Sequence, residues 1–72
     1  MNLNEISIGD FVAEKKQGKT RYGKVRAIIP NDTKNKVQLD FPDGTTMRVN
    51  PNRLFPIESK EILNKLKNEC LW

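Results

Sequence analysis

The sequence predicts a mainly β domain, a small five-stranded barrel followed by a C-terminal α-helix. Three observations carry this prediction. In "VQLDFPDGTTMRV", residues 37 to 49, two alternating runs flank a short turn. Period-2 runs around a Gly-containing loop are the pattern of a β-hairpin. Shorter apolar runs precede and follow this hairpin, separated by clusters of Gly, Pro, Asn and Asp. From residue 58 onward the apolar spacing becomes helical.

The elements follow in order. Gly9-Asp10 reads as a turn that opens the strand "FVAEK", with Val12 facing inward. "KQGKTR" reads as a polar loop with Gly18 at its tip. In "YGKVRAII" strict alternation puts Gly23, Val25 and Ala27 on one face and Tyr22, Lys24 and Arg26 on the other. Glycine inside a strand predicts a bend or a close approach of two backbones at Gly23. "PNDTKN" is loop chemistry, and Pro30 ends the strand.

In the central hairpin, Val37, Leu39, Phe41, Met47 and Val49 face the core. Pro42, Asp43 and Gly44 make its turn, with Gly in the left-handed position. "NPNR" is a further turn and "LFPI" a last strand, in which Pro56 marks an edge or a strand end. Ser59 then supplies an N-cap, and Ile62, Leu63, Leu66 and Cys70 recur at helical spacing. The chain thus divides into a barrel over residues 1–57 and an amphipathic helix over residues 58–72 packed on it. The helix covers one open end or face of the barrel.

Composition bounds the function. Seventy-two residues make one domain. No apolar run approaches the roughly 20 residues that span a bilayer, and "MNLNEISIGD" lacks the basic start and apolar middle of a signal peptide. The expectation is a cytoplasmic protein with no membrane contact. Cys70 is the one cysteine, so no internal disulfide and no zinc cluster is expected.

Net charge is +4, and its placement is more informative than its size. Residues 1–57 carry ten basic and six acidic side chains, whereas residues 58–72 are balanced. The excess concentrates in "KKQGKTRYGKVR", a run without an acid that holds Lys15, Lys16, Lys19, Arg21, Lys24 and Arg26. Such a patch attracts nucleic acid, acidic protein surfaces or anionic lipid. It is equally consistent with a solvated strand pair in a lysine-rich protein.

Taken together, "IGDFVA", "YGKVRAI", "VQLDFPDGTTMRV" and "NRLFPI" resemble a Tudor-type SH3-like barrel over residues 7–57. Gly-Asp opens the first strand, and Tyr22 precedes the core Val25. Phe41, Asp43 and Gly44 form the third turn, and Leu54 to Pro56 closes the barrel. The related KOW-type barrel shares the order Gly-Asp, hydrophobic strand, basic glycine loop, Gly-Lys-Val. It prefers a glycine where this chain has Thr20, with Gly18 displaced, and the reading therefore leans to Tudor.

The resemblance implies two functions. Tudor barrels often read methylated lysine or arginine in an aromatic cage. KOW-type and some Tudor-like barrels dock on nucleic acid, ribosomes or RNA polymerase. The cage positions align near Lys16, Tyr22, Phe41 and Met47. A cage holds its cation on several ring faces, and Lys16 in the wall would repel that cation. This argues against a methyl-lysine reader.

Catalytic chemistry is absent from the sequence. There is no histidine, so the commonest general base is missing. Cys70 has no activating partner and reads as a small apolar residue of the helix. Asp32 and Asp43 read as turn residues, and Asp40 as an outward strand residue. No phosphate-cradling glycine motif is present. The expectation is a non-enzymatic binding module without a cofactor.

Two partner classes remain. In the first, nucleic acid binds Lys15, Lys16, Lys19, Arg21, Lys24 and Arg26, with Arg48 nearby and Tyr22 either stacking on a base or packing on the rim. In the second, the chain is an adaptor that docks on a larger, nucleic-acid-handling complex. Trp72 is then the interface anchor, while Phe11 and Phe55 read as packing residues. A homodimer seam through the same helix is a further reading.

Overall fold

A computed structural model describes residues 1–69. Strands β1 (Phe11–Lys16), β2 (Lys19–Ile28), β3 (Val37–Asp40), β4 (Thr46–Val49) and β5 (Leu54–Pro56) form one antiparallel sheet. Their order across it is β4-β3-β2-β1-β5. Single 3-10 turns at Leu3–Glu5 and Pro51–Arg53, and helix α1 (Lys60–Glu69), complete the fold. The chain is mainly β with a C-terminal helix, as its alternation predicts.

The sheet curls around one core. Ile6, Val12, Val25, Val37, Leu39, Phe41, Val49 and Leu54 form that core, so all five strands contribute to it. The ladder itself stays open. Among the described residues β4 and β5 are its two edges, with no pairing between them. The expected barrel is therefore an incompletely closed one, held shut by side chains.

Local chemistry accounts for each connection. The β1–β2 loop is tighter than the sequence suggests. Lys16 pairs with Lys19, which leaves only Gln17 and Gly18 in the turn, at φ of 52° and 76°. Two positive φ values match the twist of the flanking strands. At the β3–β4 turn, Gly44 N–H donates to the Phe41 carbonyl (3.0 Å) and Phe41 N–H to the Thr45 carbonyl (2.9 Å).

Two facing predictions are corrected. The pairing of β2 with β3 shifts between Val25 and Ala27, so Val25 faces Leu39 while Ala27 faces Gln38 and Ile28 faces Val37. This bulge turns Ala27 away from the Val25 side and brings Ile28 onto the core. Met47 stands opposite Leu39, on the inner side, yet it is 38% exposed. It lies on the edge strand of an open sheet, where the Arg21 guanidinium reaches its sulfur but leaves the side chain partly in solvent.

Gly23 fulfils its expectation. A Cβ there would lie 3.1 Å from the Asp40 carbonyl oxygen and 3.2 Å from Cε1 of Phe41. The Phe41 ring thus lies directly on the β2 backbone, and a Cβ there would require the ring or the Asp40 carbonyl to shift by a few tenths of an ångström.

Helix α1 begins as its cap predicts. The Ser59 hydroxyl accepts the Ile62 N–H (3.4 Å), and the Ser59 carbonyl accepts the Leu63 N–H (3.1 Å). Ile62, Leu63 and Leu66 are half-buried. Ile62 shares a groove with Ala13, Tyr22 and Phe55, and Leu66 one with Tyr22 and Phe41. The helix lies beside the outer face of β1 and β2, where Ala13 is buried.

Asp32 and Asp43 are turn residues, as expected, and both make the fold sensitive to acid. Asp32 accepts the N–H groups of Lys34 (2.9 Å) and Asn35 (2.8 Å). Asp43 accepts the Thr45 hydroxyl (2.6 Å) and N–H (3.0 Å). The Lys34 amide on Asp32 and the Thr45 hydroxyl on Asp43 are the leading causes that hold each carboxyl below its ordinary range. A lowered folded pKa favours folding above the unfolded value, and that contribution disappears as pH falls through the folded one. The denaturation midpoint is therefore expected to drop as pH falls through and below the ordinary carboxylate range. Asp43→Asn should flatten part of that drop, and urea titrations across this range check it. A midpoint independent of pH would contradict it.

Candidate nucleic-acid interface

The tight β1–β2 turn decides where the basic run goes. It sets Lys16 opposite Lys19 and Lys15 opposite Thr20, so three lysines crowd one hairpin tip. Among the described residues no acidic side chain pairs with any of them. All three are exposed. Lys15 lies over the ring of Phe55, with Nζ 4.7 Å from its centroid. Leu54 pairs with Glu14, so Arg53, one residue earlier, enters β5 at this same end of the sheet. The sequence reading omitted Arg53, because only the β1–β5 register places it there.

The three arginines of the predicted footprint behave differently. Arg21 faces Glu14 across the hairpin, and its Nε and Nη2 both lie 3.0 Å from Glu14 Oε1. Glu14 follows Val12 at a spacing of two, so it points to the same inner side, and it is 1% exposed. The Arg21 guanidinium also covers the Phe41 ring at 4.3 Å and reaches Met47 Sδ at 3.4 Å. Arg21 is thus an internal counterion for a buried carboxylate. Arg26 pairs with Asp40 at 3.3 Å, and Asp40 also accepts the Thr46 hydroxyl. Arg48 lies 3.9 Å from Asp32.

Two further predicted residues sit on the outer face. Lys24 stands opposite Phe11, with Nζ 5.8 Å from the ring centroid. Tyr22 is half-buried between the two grooves that Ile62 and Leu66 line. Trp72 and Cys70 lie outside the described residues.

The aligned cage positions are occupied from within. The Phe41 face that would meet a methylammonium already carries Arg21, a fixed cation where a cage needs an open ring. Among the described residues no group of three or more His, Cys, Asp or Glu side chains is placed to hold a metal ion. No described helix is long and apolar enough to cross a membrane.

The hairpin tip therefore offers three exposed ammonium groups that have no acidic partner among the described residues. Such groups suit phosphate oxygens, and they act as point charges rather than as a bidentate fork. No family model matches the chain, no curated protein matches it, and no solved structure matches it.

Proposed function

We propose that this protein is a cytoplasmic, non-enzymatic nucleic-acid-binding module of Tudor-like type that grips phosphates with the tip of its β1–β2 hairpin. The observation that carries this reading is the grouping of Lys15, Lys16 and Lys19 at one turn with no acidic partner. Arg53 adds a fourth charge at the same end. Arg21 is committed to the buried Glu14, and Arg26 and Arg48 each lie beside a carboxylate, so these arginines are secondary to the lysines in this grip. Binding of this kind reads the backbone and carries little sequence information.

The test is a salt titration. Three phosphate contacts on duplex DNA give a log–log slope of about −2.7, which is roughly a fortyfold loss of affinity between 50 and 200 mM salt. Lys16→Glu with Lys19→Glu should abolish most of the binding and flatten the slope, because both side chains are exposed. Arg26→Gln should leave affinity nearly unchanged. An absence of binding at low salt would overturn the reading and leave docking on a nucleic-acid-handling protein complex as the function.

A further inference from the structure

A groove separates the outer face of β1, β2 and β5 from the first turn of α1. It encloses about 380 Å³, within the general size range of small-molecule sites. Phe55, Tyr22 and Ile62 supply apolar walls, and Lys15, Thr20, Ser59 and the acidic Glu58 supply polar groups. Its position is informative. Lys15 lines this groove, whereas alternation sends Lys16 and its partner Lys19 to the opposite side of the hairpin tip, so the groove meets the lysine tip only through Lys15.

Phe55 lies on the outer side of the edge strand β5, under the Lys15 ammonium. It alternates with the core residue Leu54, stands opposite Ala13 and remains 40% exposed. A partly exposed ring that carries a lysine ammonium at the edge of a lysine-rich tip is a combination that single-strand binders use. The lysines hold phosphates, and the ring stacks on a base. A duplex keeps its bases stacked on one another and offers none to such a ring.

We propose that this groove takes one unstacked base of a single-stranded nucleic acid, stacked on Phe55, while Lys15 holds the adjacent phosphate and Lys16 and Lys19, across the hairpin tip, hold phosphates beyond it. The Lys15 ammonium, which now lies on the ring, moves aside to a phosphate when the base enters. Thr20 lines the same groove, while the Ser59 hydroxyl is engaged as the cap of α1, so no group there selects one base. The inference rests on the reading of the hairpin tip as a phosphate grip, and it adds the strandedness of the ligand.

The experiment compares three short oligonucleotides at fixed salt: a thymidine single strand, the same strand with abasic spacers, and a duplex. The first two carry the same phosphates and differ only in bases. Wild-type protein is expected to prefer the base-bearing strand over the abasic one by roughly tenfold, the scale of one base–aromatic stack. Phe55→Ala should reduce affinity for the base-bearing strand to the abasic level and leave abasic binding unchanged. Phe55→Tyr should keep the preference, which separates loss of the ring from loss of the fold. Equal wild-type affinity for the two single strands would overturn the groove assignment while leaving the phosphate grip intact. Failure to bind any of the three would overturn both.

Discussion

Phe41→Ala is expected to lower the free energy of unfolding by about 3–5 kcal/mol, the range for truncating a buried aromatic. Phe41 is buried in the core, and its ring fills the space that Gly23 leaves open. The ring also carries the Arg21 guanidinium. Truncation thus opens a cavity and removes a support of the Arg21–Glu14 pair. A domain of this size has total stability near the lower end of roughly 5–15 kcal/mol, so the variant should be largely unfolded at ordinary temperature. Urea denaturation followed by circular dichroism measures this. A cooperative transition with the wild-type midpoint would show that the core lies elsewhere.

Arg21→Ala is the second large effect. It strands the buried Glu14 carboxylate without its cation. Removing one partner of a fully buried pair costs about 3–5 kcal/mol. Arg21 is itself 44% exposed at its side chain, so solvent screens part of that cost and the expected loss is about 2–3 kcal/mol. Replacing both residues, as Glu14→Met with Arg21→Met, should restore most of the stability, because no unpaired charge then remains inside. Wild type, Glu14→Met, Arg21→Met and the double variant form a double-mutant cycle read by equilibrium denaturation. Wild-type stability in Arg21→Ala would mean that water reaches Glu14. So would additive losses in the double variant.

The sequence conveyed local features well and those that depend on distant closure poorly. The hairpin around residues 42–44 was legible because alternation and turn chemistry act within a few residues. Gly23 was legible for the same reason, since a glycine inside a strand has few explanations. The bulge at Arg26 was not legible, because a one-residue slip between β2 and β3 depends on the partner strand. Met47 alternates correctly and is exposed because the sheet stays open at β4, which no local pattern states. The basic run appeared free of acids along the chain. Folding set Glu14 opposite Arg21 and Asp40 near Arg26. A signal for the first pair did exist, since Glu14 shares the parity of Val12 and Arg21 follows a short turn. The lysine tip survived folding because its members sit beyond the last core residue of each strand.

The unjoined edges have a consequence for how this protein keeps to itself. A bare strand edge is a template on which another chain can add, and long flat edges invite fibrous growth. Here β4 offers four residues and β5 three. Pro56 removes an amide from β5, and the Met1 nitrogen donates to the Leu54 carbonyl at 2.8 Å. On β4 a charged Arg48 projects from the middle of the strand. Both borders are too short and too interrupted to recruit a neighbour's strand. The chain can leave its sheet open without becoming a seed for aggregation.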